Sequence, residues 1–218
     1  MKHLALLAAL LAPAPALADL DPGDWDAVVA EAEGQTVIWN AWGGSTTTND
    51  FIAWVGSRVM EDYGVTREHV KLTDTADAVT RVLSEKQAGE DDDGAIDMIW
   101  INGAIFAAMK EADLLFGPYA EELPNWAFVD VDGKTVQTDF TVPTDGFESP
   151  WAMAQVVFVH DTDDMPERLG SMQALLDWTV ANPGRFSYPQ PPDFLGTTFL
   201  KQVLVDILPD PSVLANPA

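Results

Sequence analysis

Two periods of apolar residues take turns along this chain. Asp24 to Glu33 (DWDAVVAEAE) has helical spacing and stops at Gly34. Thr36 to Ala41 (TVIWNA) is β-branched and aromatic, the signature of a strand, and Gly43-Gly44-Ser45 breaks it. Thr48 to Tyr63 returns to helical spacing, with Phe51, Val55, Val59 and Tyr63 on every fourth position and Gly64 as the stop. The unit then repeats. His69 to Leu72 predicts a short strand and Asp74 to Ala88 a helix, with Val79, Val82, Leu83 and Lys86 at helical spacing. After the turn Gly89 to Gly94 (GEDDDG), Ala95 to Ile101 (AIDMIWI) is a nearly continuous apolar run, as expected of a strand buried on both faces of a parallel sheet. Asn102-Gly103 leads into a helix from Ala104 to Leu115, stopped by Gly117-Pro118. Three β-then-α units in succession predict an α/β fold, in which ligands sit outside the carboxyl ends of the strands.

The pattern changes beyond residue 118. Residues 119–146 hold scattered Pro, Gly and Asp with little helical signal. Met153 to His160 (MAQVVFVH) predicts a strand, Met172 to Val180 a helix, Arg185 to Tyr188 a short strand, and Gly196 to Leu208 a last helix with Phe199, Val203 and Ile207 at fourfold spacing. The composition shift near 143–152 divides the chain into a first α/β lobe over 19–148, a crossover over 149–160 and part of a second α/β lobe over 161–218. Some 60 residues are few for an independent core, so this second lobe is expected to be incomplete.

The first 18 residues stand outside that pattern. A basic start (Lys2), an apolar run from Leu4 to Ala12 and the small-x-small triplet Ala16-Leu17-Ala18 together make a secretory signal peptide. The apolar run is far shorter than the roughly 20 residues a spanning helix needs. Export to the periplasm is the expectation, with mature protein starting near Asp19.

Composition narrows the function. There is no cysteine, which removes disulfides and thiolate chemistry. Acidic residues number 35 against 11 basic, a net charge of −24, so nucleic acid and anionic membranes are poor partners. Such a charge is explained by a saline habitat or solubility as well as by attraction of a cation. Only His69 and His160 lie beyond the signal peptide, and no G-x-S-x-G, H-E-x-x-H or phosphate-binding loop is present. No catalytic residue, metal ligand or cofactor is assigned. Glu90-Asp91-Asp92-Asp93 lacks the spacing of a calcium loop and reads as a solvated turn.

Four segments at strand ends or helix starts are suited to binding. Trp42, Gly43, Gly44, Ser45 and Thr46 follow the first strand, where glycines permit close approach and hydroxyls precede a helix; a plain glycine turn with a helix cap explains them as well. Trp100, Asn102 and Gly103 follow the third, although Trp100 fits a core position equally. Trp151 sits at the crossover, and Asp193, Phe194, Gly196 and Thr197 open the last helix. Together they put aromatic rings and small polar residues where a solute cleft needs them.

The segments TVIWNAWGGSTTTNDFIAWV, IDMIWINGAIFAAMK, AQVVFVHDTDDMP and ALLDWTVANPGRFSYPQPPDFLGTTFL resemble the periplasmic solute-binding proteins of ABC importers. The nearest likeness is to a subgroup related to thiamine-, polyamine- and ferric-iron-binding proteins. The resemblance implies a two-lobed periplasmic binding protein fold of type II, longer than 218 residues, closing on its ligand like a hinged clamp. It places cleft loops on Trp42 to Thr46, Trp100 to Gly103, the Trp151 region and Asp193 to Thr198. It implies a monomer that delivers a small solute to a membrane permease. Indole rings and acids favour an organic cation, thiamine-like or polyamine-like. Tyr63, Tyr119 and Tyr188 form no adjacent pair of the kind ferric-binding relatives use. A secreted hydrolase working through carboxylates, or a carbohydrate-binding domain using exposed tryptophans, are the alternatives from other classes.

Overall fold

The computed structural model describes residues 20–90, 94–191 and 193–215. The expected signal peptide and the acidic tract 91–93 lie outside the described residues. The chain divides into two compact units, 1–149 and 150–218, each described by itself.

The first unit is built on a parallel sheet. Strand β1 (Thr36–Trp42) lies between β2 (Thr66–Leu72) and β3 (Met98–Ile99). In register, Trp39 faces His69 of β2 and Met98 of β3. Helix α1 (Trp25–Ala32) precedes β1 and is capped by the Asp24 side chain. Helix α2 (Thr46–Tyr63) joins β1 to β2, α3 (Ala76–Ala88) joins β2 to β3, and α4 (Gly103–Glu111) follows β3. Gly64 and Gly89 end α2 and α3 at φ of 69° and 77°, left-handed conformations that favour glycine.

The centre of β1 is buried on both faces: Trp39, Asn40 and Ala41 are all sequestered. On one face Ile52 of α2 packs with Trp39 and Ala41, and Trp100 closes against them. The inward stripe of α2 begins at Ile52 rather than Phe51 and continues through Val55 and Val59, both half-buried. Ile52 is fully buried while Phe51 is 49 % exposed and stacks on Trp54 instead. Gly56 of the same helix sits above Arg67, whose Nε lies 2.8 Å from where a Cβ would project. A bulkier residue there would displace the guanidinium, which accounts for glycine in a helix interior where it costs about 1 kcal/mol. In α3 the buried residues are Ala78 and Glu85 rather than Leu83 and Lys86. Glu85 is held by Arg81 and by the Ala95 N–H at 3.2 Å, fastening the helix end to the chain that enters β3.

Two expected elements of this unit are shorter than the sequence suggests. Ala95 to Ile101 yields only Met98–Ile99 as ladder. The pairing is nevertheless extended by the Asp97 carboxylate, which accepts the Ile38 N–H at 2.7 Å, and by the Trp100 N–H to the Asn40 carbonyl at 2.9 Å. Helix α4 ends at Glu111 rather than Leu115, because Asp113 turns the backbone to φ 53°. Residues 119–146 hold two 3-10 turns (Ala120–Glu122 and Pro124–Phe128) and an antiparallel hairpin of β4 (Thr138–Asp139) and β5 (Val142–Pro143).

The second unit contains α5 (Met172–Ala181), α6 (Phe194–Ile207) and a 3-10 turn (Pro211–Ala215). Asp206 of α6 accepts the Met172 N–H at 2.7 Å, tying the end of one helix to the start of the other. Phe199 is buried among Phe158, Phe186 and Tyr188. The strands expected at 153–160 and 185–188 are not formed. A strand exists only through its ladder, and the described residues of this unit contain no strand to pair with.

Replacing Ile52 by alanine is expected to cost about 2–5 kcal/mol, the range for emptying a closed core site. Phe51→Ala should cost under about 1 kcal/mol, as an exposed position. Urea unfolding of the two variants tests which residue faces inward; equal losses would overturn the packing described.

Candidate functional site

Parallel pairing puts the carboxyl ends of β1, β2 and β3 on one edge of the sheet, where α2, α3 and α4 begin. Trp42, the last residue of β1, is 43 % exposed, and its ring meets Trp100 edge to face at 6.4 Å. The first unit thus brings together two of the expected site residues from separate strand ends. A hollow of about 190 Å³ opens beside Trp42, lined by Trp42, Gly43, Gly44, Lys71, Leu72 and Thr73.

The glycines of this edge make room for the chain's own side chains. A Cβ on Gly44 would lie 2.3 Å from the Trp42 ring, and one on Gly43 would lie 2.6 Å from the Lys71 Cβ. The Gly43 N–H donates to the Leu72 carbonyl at 2.9 Å, and the Asn49 side chain donates to the Gly43 carbonyl at 2.9 Å, so the loop is pinned at both groups. Ser45 caps α2 through the Thr48 N–H at 3.3 Å, while Thr46 is exposed on the first turn.

At the start of α4 the chain supplies its own anion. Asn102 precedes the helix without a side-chain cap, and the Gly103 N–H donates to the Asp139 carboxylate of the hairpin. Gly103 has φ 56°, and the Phe140 ring lies 3.1 Å from where its Cβ would be. An acid at a helix start is favoured by the backbone dipole. Asp139 in turn acts on Glu148: burial first, and the Asp139 charge second, push the Glu148 carboxyl up to about 7. Tyr119 borders the same place. Its phenol is pushed up chiefly by burial and also by the Glu148 charge, against the lowering effect of a hydrogen bond with the Ser149 backbone. Lys110 of α4 anchors the segment that leads there, by hydrogen bonds to the Pro143 carbonyl and the Asp145 carboxylate, both at 2.6 Å.

Sequence reasoning did not single out Asp139, Glu148 or Tyr119. They lie in or beside a stretch without periodicity, and only the hairpin's return to α4 gathers them. Of the two histidines, His69 lies tilted against Trp39 with ring centroids 6.1 Å apart, and burial holds its imidazole below the usual value. His160 contacts the Met165 carbonyl at 2.9 Å. Among the described residues no group of three or more His, Cys, Asp or Glu could hold a metal ion.

In the second unit Asp193, Phe194, Gly196 and Thr197 form one local structure. Asp193 caps α6, accepting the Leu195 and Gly196 N–H groups at 2.9 and 3.1 Å. The Thr197 N–H returns to the Asp193 carbonyl at 2.9 Å. Gly196 is buried, and a Cβ there would lie 1.9 Å from the Pro189 carbonyl oxygen, so the helix start and the proline-rich turn fit only with glycine. Phe194 is half exposed, and Trp151 is 39 % exposed on a stretch without regular secondary structure.

The Glu148 shift has a direction that can be measured. The folded chain holds this proton more tightly than an unfolded chain, whose carboxyl titrates near 4.5. Stability from this group is therefore highest below that value and is lost as pH rises through about 7. Glu148→Gln keeps the neutral form at all pH. It is expected to match the parent near pH 5 and to exceed it by about 1–2 kcal/mol at pH 8, allowing for solvent screening of a partly exposed group. Denaturant unfolding at both pH values checks this; a difference independent of pH would show that Glu148 titrates normally.

The family described as bacterial extracellular solute-binding protein matches residues 54–216. A curated relative from Escherichia coli (strain K12), protein YnjB, is 46 % identical over 191 residues. That alignment covers 88 % of this chain and 49 % of the relative, so the chain spans about half the length of the curated protein it matches. With the family match running through most of both units, the chain belongs to the bacterial extracellular solute-binding proteins.

Proposed function

We propose that this protein captures a small solute outside the cytoplasm and delivers it to the membrane permease of an ABC importer, without catalysing a reaction. The observation that carries this reading is the pair Trp42 and Trp100 at the carboxyl edge of the parallel sheet, in a chain of the extracellular solute-binding family. In open α/β sheets that edge is where ligands bind. Export through the N-terminal signal segment puts the protein in the periplasm, and it acts there as a monomer. No helix among the described residues is long and apolar enough to cross a membrane.

The solute favoured is an organic cation, thiamine-like or polyamine-like. Indole faces attract cations. The net charge of −24 draws them in. The α4 start already holds the Asp139 carboxylate, which disfavours a second anion there. In this reading the first lobe contributes Trp42, Gly43, Gly44, Ser45, Thr46, Trp100, Asn102 and Gly103. The two-lobed clamp that the family resemblance implies would add Trp151, Asp193, Phe194, Gly196 and Thr197. The clamp closes when ligand shifts the population towards the closed form. The second lobe is completed by further chain, a reading supported by the relative's twofold length and by the unpaired strand-like run 153–160.

Thermal unfolding against thiamine and its phosphates, polyamines, ferric citrate, sugars and amino acids tests the proposal. A ligand at 100 times its Kd adds about 2.7 kcal/mol, a shift of roughly 5–10 °C at this size. Trp42→Ala and Trp151→Ala are each expected to weaken binding of the active solute about tenfold or more, with folding retained. Unchanged affinity in both variants would overturn the site, and a folded protein that no solute shifts would overturn the cation reading.

A further inference from the structure

Three residues, Gly43, Gly44 and Ser45, join β1 to α2, and Trp42 stands just before them. The Trp42 ring is folded back over this loop. A Cβ on Gly44 would lie 2.3, 2.5 and 2.9 Å from its Cζ2, Cε2 and Nε1 atoms, so the bare Gly44 backbone is the shelf on which the ring rests. The tilt of that shelf follows the Gly43–Gly44 peptide, because a peptide unit is planar and rigid.

Asn49 holds that peptide. It lies in the first turn of α2, and its Nδ2 donates to the Gly43 carbonyl at 2.9 Å. Only the donor end of the amide can face a carbonyl oxygen, so the side chain has one orientation. Its Oδ1 is then buried, and among the described residues it has no hydrogen-bond partner. A leftover buried acceptor is destabilising, and alanine forms helix better than asparagine. Helix propensity and burial thus both argue against asparagine at this position. What the residue supplies is a second hold on the loop, beside the one β2 takes on the Gly43 N–H through the Leu72 carbonyl.

We propose that Asn49 is a positioning residue for the candidate site: through the Gly43 carbonyl it keeps the Trp42 indole seated on Gly44 and edge to face with Trp100. The inference rests on the reading that a solute binds at this edge, and it adds a residue that the sequence pattern does not single out. A ring ordered beforehand spares the cost of ordering it on binding, on the order of two- to tenfold in affinity for one side chain.

The deciding readout needs no solute. In NMR spectra of the full chain, the Trp42 and Trp100 rings are identified by the signals lost in Trp42→Phe and Trp100→Phe. The parent is expected to show a ring-to-ring NOE, as the 6.4 Å edge-to-face contact requires, and a rigid Trp42 indole N–H. Asn49→Ala should lose the NOE and lower the indole order parameter from about 0.8 to below about 0.6, with the melting temperature unchanged or higher. Asn49→Asp, close in shape but without the donor, should lose the same NOE, which keeps the test open if the alanine variant does not fold. With thiamine as the binding probe, Asn49→Ala should weaken affinity about two- to tenfold. A parent that binds no thiamine, with the NOE lost in the variants, supports the positioning role and counts against the solute reading. An NOE retained in the variants, a melting temperature that falls while the NOE stays, or thiamine affinity unchanged after its loss would each overturn the proposal.

Discussion

Burial of β1 on both faces is the constraint from which the first unit follows. Trp39 and Ala41 accept Ile52 of α2 on one side, and Asn40 looks towards α3 on the other. With both faces covered, the neighbouring strands must join at its two edges, and the helices that connect them must lie on the faces. Parallel pairing then leaves no freedom over where the loops go. The turns after β1 and β3 arrive at the same edge, and that alone brings Trp42 and Trp100 within ring contact. The candidate site is thus a consequence of sheet topology before it is a matter of side-chain chemistry.

Charge is the second constraint. With 35 acids and 11 bases, most carboxylates have no cation to meet. Several of the bases stand at joints. Arg81 holds Glu85 at the end of α3, Lys110 ties α4 to the segment through Asp145, and Arg185 meets Asp164. The last of these is exposed on both sides, and an exposed pair contributes little stability, so its value is positional. Arg67 is different. Its Nε and Nη1 are buried under α2 with no hydrogen-bond partner, and burial holds its guanidinium below the usual value. Gly56 exists to admit it, which makes the α2 contact with β2 a place where the fold spends stability. Where carboxylates crowd, as at Asp139 and Glu148, burial and the neighbouring charge favour keeping a proton on Glu148.

How much of this was legible in the sequence depends on how local each signal was. The βα alternation of residues 24–111, and the glycines that stop α2 and α3, are written in short-range periodicity and backbone geometry. The strand ends that carry Trp42 and Trp100 followed from that alternation. At the start of α2 the periodicity does not choose between Phe51 and Ile52, both apolar, and only packing against Trp39 distinguishes them. Asp139 and Glu148 were invisible, since nothing in residues 119–149 indicates that a hairpin returns to the start of α4. Ser45 and Asp193 stand among the candidate binding residues, a helix cap being the alternative at Ser45, and in the structure their side-chain oxygens accept helix N–H groups.

The second unit shows the limit of local signals in its sharpest form. Met153 to His160 has the composition of a strand, yet Val157 is 71 % exposed and Val159 is 94 % exposed. Propensity for β structure is chiefly a capacity to pack on a pleated, half-buried surface, and a segment with no ladder to join cannot express it. The helices α5 and α6 escape this dependence because their backbone hydrogen bonds close within each helix. They form here with their caps intact, Ser171 and Asp193 each accepting backbone N–H groups. The difference between the formed helices and the unformed strand is therefore one of where each element's hydrogen-bond partners lie along the chain.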